Sequence, residues 1–230
     1  SPGKQVLGTV PVEPDGSAWF RAPAGIPLSF QALDRHGRAV QIMRSLTYLQ
    51  PGERASCVGC HEPRSQAPEL RGPAMALARE PSAITPGPDG ARPLSYPRLV
   101  QPVLDRRCIE CHNHERAEGL VALTGEPQGH YTVSYNALAP RVPYSAWPRR
   151  DGDFRVVNSE PMTAPGHFGA RASRLMDMLL EGHEGVKLSA EEIERLATWM
   201  DANGLFYGTF DPADQARQQR GELIAGPALE

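Results

Sequence analysis

Ser95-Tyr96-Pro97-Arg98-Leu99-Val100-Gln101-Pro102-Val103-Leu104-Asp105-Arg106-Arg107-Cys108-Ile109-Glu110-Cys111-His112 joins a helical pattern to a chemical motif. Tyr96, Leu99, Val100, Val103 and Leu104 recur at the spacing of one helical face. Ser95 suits an N-cap, and Pro97 suits the first turn, where a missing N–H is no loss. Pro102 is expected to kink the helix, because it donates no hydrogen bond and its ring crowds the carbonyl four residues back. The helix ends on Cys108-Ile109-Glu110-Cys111-His112, the spacing by which haem c is attached. Two thiols at that distance reach the two vinyl groups on one edge of the porphyrin, and the next residue aims its imidazole at the iron as proximal ligand.

The same pattern occurs upstream as Cys57-Val58-Gly59-Cys60-His61, so all four cysteines fall in two such motifs. A pair of disulfides would not require a histidine after each second cysteine. A four-thiolate zinc site can use two Cys-x-x-Cys pairs, but the 47 residues between them here exceed the usual ribbon spacing. A thioredoxin-like redox motif would need a βαβ context, which the pattern lacks. Two haem c groups are therefore the expected cofactors, with His61 and His112 as axial ligands of iron. Covalent haem attachment takes place outside the cytoplasm, so a periplasmic or otherwise exported bacterial location is expected.

The net charge of −3 gives no basic surface for nucleic acid or an anionic membrane. No run approaches the length of apolar sequence needed to span a bilayer. The 22 glycines and 23 prolines point to many turns and long irregular stretches. The chain opens on Ser1 without an initiator Met or a visible signal peptide, as in a processed protein or an excised fragment.

Around the motifs the pattern divides into four stretches. Residues 1–50 alternate with period two between turn signals at Asp15-Gly16 and His36-Gly37, which predicts a small antiparallel sheet or sandwich over 6–12, 17–21, 28–33 and 39–43. Residues 51–94 hold the first motif and a proline-rich connection, with one short helix expected at 74–79. Residues 95–210 resemble a helical cytochrome c domain carrying the second motif. Within it, Ala172, Leu175, Met176, Leu179 and Leu180 predict a helix over 171–181, closed by Gly182. Ser189 and Glu192 form a capping box for a helix over 190–202, with Leu188 and Ile193 as its staple and Asn203-Gly204 as its stop. Residues 211–230 read as a polar C-terminal tail. The fold class is α+β: a small antiparallel β region followed by a mostly α-helical, cytochrome c-like dihaem domain with long irregular loops.

The sixth ligand of each iron separates electron transfer from catalysis. Five histidines lie outside the motifs: His36, His114, His130, His167 and His183. His183, in a glycine-flanked loop just ahead of the capping box, stands where small class I cytochromes carry their distal methionine. It is expected to complete a bis-His pair with His112, which lowers the potential relative to Met/His ligation. His167, between Gly166 and Gly169, is the candidate opposite His61, since glycines permit close backbone approach. His130 is the weaker alternative. His114 is expected to be solvated, His36 to sit in a hairpin turn, and Met162 to serve the core.

Several stretches resemble the hydrazine synthase alpha-subunit-like family of multihaem cytochromes c. They include Gly8-Thr9-Val10-Pro11-Val12, the run Ser45–Glu53 leading into Cys57–Arg64, Val100–Asp105, His167-Phe168-Gly169, Gly182-His183 and Trp199–Asn203. The resemblance implies that the chain corresponds to that family's C-terminal dihaem region, and that a β-rich N-terminal region or a partner subunit belongs with it. It also implies a bis-His second haem. In hydrazine synthase, a tyrosine four residues beyond the first motif ligates that haem's iron while the motif histidine joins a zinc site. Ser65 stands at that position here, so His61 is expected to be an ordinary proximal ligand. Electron transfer between two haems, with a redox partner protein, is the expected function. The alternative is a haem enzyme acting on a small nitrogen compound or peroxide at an open first haem, with acid–base groups drawn from Tyr131, Tyr135, Tyr144 or the Asp151–Asp153 loop. A sensor or docking module is a third possibility.

Overall fold

The computed structural model describes residues 3–43, 45–59, 72–143 and 164–226. It is an α+β chain whose core gathers around a broken helix and the helix that packs against it. Helix α1 spans Tyr96–Leu99 and α2 spans Gln101–Arg107. The single helix expected over 95–112 is thus split at Val100, and Pro102 is the cause. Its missing N–H would have met the carbonyl of Arg98, and the Arg195 guanidinium fills that gap by donating to Arg98 O at 3.3 Å. Ser95 occupies the N-cap, but its side chain makes no cap bond and its hydroxyl is buried without a partner.

Helix α3 covers Val133–Leu138, α4 covers Arg174–Glu181 and α5 covers Ala190–Asp201. The α4 segment starts later than the expected 171, because Ser173 accepts from Met176 N as N-cap and the preceding turn, Gly169–Ala172, is a 3₁₀ helix. The α5 capping box is formed in full: Glu192 N donates to Ser189 Oγ and Ser189 N donates to the Glu192 carboxylate. Val100, Val103, Leu196, Ala197, Trp199 and Met200 interlock between α1–α2 and α5 with essentially no exposure. Each such large apolar side chain contributes on the order of 1.5–3 kcal/mol by leaving water. Tyr96 stacks on Phe206 and meets Tyr135 and Trp199 edge to face, closing the core's far side.

The β content differs from the expected sheet. Strand β1 is Gln5–Val6, β2 is Gln31–Leu33 and β3 is Ala39–Ile42. The others are β4 at Arg92–Pro93, β5 at Pro127–Gln128 and β6 at Tyr131–Thr132. They form three separate two-stranded antiparallel ladders, β1–β4, β2–β3 and β5–β6, rather than one sandwich. The N-terminal strands instead find partners in the proline-rich connection: Thr9 pairs with Thr85, Phe20 with Ser82, and β1 with β4. Prolines at 81, 86, 88 and 93 remove donors, so the ladders stay short. The helix expected at 74–79 is a 3₁₀ turn, Met75–Ala78.

Residues 211–230, expected as a polar tail, instead contribute helix α6, Pro212–Gln219, capped by Asp211. Its Gln218 is fully buried and donates to Leu94 O at 3.0 Å, while Gly208 N donates to Gln218 Oε1 at 3.1 Å. A side-chain amide that satisfies strand backbone explains why so polar a sequence docks.

Candidate functional site

The second motif begins where α2 ends. Cys108 is the C-cap of α2, and its carbonyl accepts from Cys111 N at 3.2 Å and His112 N at 2.9 Å. This turn sets both thiols and the imidazole within one loop. Cys108 and Cys111 are half-buried and not bonded to each other. His112 Nδ1 lies 3.1 Å from Val121 O, so Nδ1 carries the proton and donates, leaving Nε2 with its lone pair free for a metal. Leu123 N donates to His112 O at 2.7 Å, which ties the returning strand to the motif.

His183 arrives from a distant part of the chain. Gly182, with φ 105°, ends α4, and Gly185, with φ 77°, turns the loop, while Val186 N donates to His183 O at 2.8 Å. Side chains with a Cβ rarely adopt such φ values, so the two glycines make this tight presentation possible. The imidazoles of His112 and His183 lie with ring centres 6.0 Å apart and planes 21° from parallel. An iron held by two imidazole nitrogens at about 2 Å each separates those nitrogens by about 4 Å, and on the order of 1 Å more per ring to its centre gives about 6 Å. The 6.0 Å between the ring centres of His112 and His183 matches that spacing.

Two exposed leucines lie close in sequence to these histidines or their partners. Leu120, next to Val121, has a left-handed φ of 60° and is 98% exposed. Leu180, three residues before His183, is also an exposed apolar side chain. A left-handed leucine is strained, and here it points at nothing in the chain. Burial and then the Glu192 charge push the Cys108 thiol up to about 11. Among the described residues, no cluster of three or more His, Cys, Asp or Glu is placed to hold a metal ion.

Sequence reasoning missed the neighbours of this motif. Glu192, read only as a cap, is buried and accepts from Arg107 Nε at 3.0 and 3.2 Å and from Arg106 Nε at 3.4 Å. Burial alone would raise its carboxyl, but Arg107 and the Ser189 amide outweigh that and hold it below the usual range. The signal was present: two arginines directly before Cys108, and a glutamate at the third position of a helix that had to cross them.

The other candidates are dispersed. Cys57 is exposed and unpaired, while Cys60, His61 and Ser65 lie outside the described residues. So do Met162, Tyr144 and the Asp151–Asp153 loop. His167 is exposed, its ring edge-on to Phe168, in a turn that Gly166 N ties to Val40 O at 2.7 Å. The structure does not bring it to a second described histidine. His114 is exposed and paired with Glu126. His130 is exposed, and its carbonyl accepts from the Tyr207 hydroxyl. His36 sits in the β2–β3 turn, as expected. Tyr135 donates to Gly204 O at 2.8 Å, and Tyr131 packs in the aromatic cluster with Tyr135 and Phe206.

Residues 2–62 match the family described as hydrazine synthase alpha subunit middle domain. The match covers the N-terminal β segment and ends just past the first Cys-x-x-Cys-His. The match supports a likeness to that family over those residues; it does not extend to the C-terminal dihaem region expected from the sequence, and the Cys108–His112 motif lies outside it. No curated protein and no solved structure matches the chain. No helix among the described residues is long and apolar enough to cross a membrane.

Proposed function

We propose that the chain is a dihaem c-type cytochrome that transfers electrons, with one haem c on Cys108, Cys111 and His112 and the other on Cys57, Cys60 and His61. The observation that carries this reading is the His112–His183 pair. Two imidazoles 71 residues apart in sequence come within 6.0 Å between ring centres, one with its Nδ1 proton held by Val121 O. Haem c bound there supplies a one-electron iron couple. Cys108 and Cys111 would anchor it as thioethers, His112 would ligate through Nε2, and His183 would close the opposite face. With both positions filled by the chain, no substrate reaches that iron, which favours electron transfer over catalysis.

For the first motif, His167 is the proposed opposite ligand to His61, supported by its exposure and its glycine-flanked turn. An exported location goes with covalent haem attachment. A redox partner protein and a larger assembly are proposed as well, the latter supported by the likeness of residues 2–62 to a domain of a named subunit.

The test is expression with a haem c maturation system, followed by mass spectrometry of the two cysteine peptides and low-temperature EPR with and without cyanide. Haem on both peptides and a low-spin signal that ignores cyanide are expected for the His112/His183 site. Unmodified Cys108 and Cys111, or a high-spin cyanide-binding signal assigned to that site by its removal in His112→Ala, would overturn the proposal.

A further inference from the structure

Glu192 carries a buried charge that neither the capping box nor the packing requires. An N3 glutamine would accept from Ser189 N equally well. The carboxylate is nonetheless held by Arg107, the residue directly before Cys108, at 3.0 and 3.2 Å, with Arg106 at 3.4 Å. Its side chain is only 6% exposed, whereas Arg106 and Arg107 are roughly half exposed and screened by water. The unscreened charge is the negative one. Arg107, which it holds, is the last residue of α2 and directly precedes Cys108, so the carboxylate sits at the point where the motif begins.

We propose that Glu192 and Arg107 form a charge pair that sets the reduction potential of the haem carried by Cys108, the buried carboxylate holding it down and the guanidinium opposing it. The inference rests on the haem assignment above and deepens it. The couple is Fe(III)/Fe(II), one electron with no atom transferred. A negative charge beside it favours the more positive, oxidised state, and the low dielectric of the core strengthens that effect. Glu192 is a positioning residue in this sense: it touches no iron ligand and acts by its charge beside Arg107, where α2 runs into the motif.

Spectroelectrochemical titration of the purified dihaem protein tests this, with the haem on Cys57–His61 as internal control. Glu192→Gln keeps the cap acceptor and removes the charge, so the midpoint of the Cys108 haem should rise while the other stays fixed. Arg107→Gln should move the same midpoint in the opposite direction, and Arg107→Lys, which keeps the charge, should leave it near wild type. A Cys108 midpoint that ignores both charge removals, or that moves the same way in both, overturns the charge pair while leaving the haem assignment standing. Absence of haem on Cys108 overturns both. If Glu192→Gln fails to fold, the Arg107→Gln and Arg107→Lys contrast decides alone.

Discussion

Asp201 offers the sharpest physical prediction. It is the last residue of α5, 3% exposed, and both carboxylate oxygens take backbone donors: Ala39 N at 2.7 Å and Ala170 N at 2.7 Å. Burial pushes its carboxyl up to about 6, against the pull of those two N–H groups; Asp34 adds to the rise and Arg38 eases it. An unfolded aspartate titrates near 3.9, so the folded state holds this proton more tightly by about 2 units, worth about 3 kcal/mol at 1.36 kcal/mol per unit. With a raised folded pKa, the contribution is complete below pH ~4 and is lost as pH rises through about 6. Urea unfolding of wild type and Asp201→Asn across pH 4–7 measures it. The amide sets one donor against a backbone N–H, a constant cost of about 1–3 kcal/mol at every pH. The wild-type advantage should therefore shrink by about 3 kcal/mol across the window, one proton per molecule. Carbon-13 NMR of the Asp201 carboxyl gives the midpoint directly. A midpoint below 4, or an advantage that grows with pH, would refute the account of this buried carboxylate.

Three further outcomes follow from the same structure. Gly169→Ala places a Cβ 2.0 Å from Asp201 Oδ1 at a φ of 67° and should cost several kcal/mol in thermal or urea unfolding, well beyond the ~1 kcal/mol of an ordinary Gly→Ala change; a change under 1 kcal/mol contradicts the contact. Met200→Ala, at 0% exposure between α1 and α5, should lose about 2–5 kcal/mol by the same measurement. In the haem-loaded protein, His183→Met should raise the midpoint of the Cys108 haem, as Met/His ligation does; an unchanged titration would remove His183 from the iron.

Some of this was legible in the sequence because the signals are local. The capping box at Ser189 and Glu192 is written in four consecutive residues and formed as read. Pro102 announced a break, though not that Arg195, nearly a hundred residues on, would satisfy the carbonyl it strands. The choice of His183 rested on loop placement alone, and its ring centre lies 6.0 Å from that of His112. The failures were non-local. Period-two alternation with the His36-Gly37 turn located the β2–β3 hairpin, but not the partners of Val6, Thr9 and Phe20, which lie in a proline-rich stretch that local pattern marks as loop. Residues 212–219 lack an apolar stripe, so nothing local shows that Gln218 would be buried as a hydrogen-bonding plug. The Glu192–Arg107 contact needed the crossing of two helices, which no window of sequence contains.

Pro93–Leu94 lies in the grip of both ends of the chain, with Leu94 N donating to Lys4 O at 2.8 Å and Leu94 O accepting from Gln218 at 3.0 Å. Each contact spans about a hundred residues, so each waits on a large loop closing before any reward arrives. During synthesis, this segment stays half-dressed until α6 has left the ribosome. In the finished molecule, the amides of Leu94, held by Lys4 O, and Gly208, held by the buried Gln218 side chain, should be among the slowest to exchange with deuterated water.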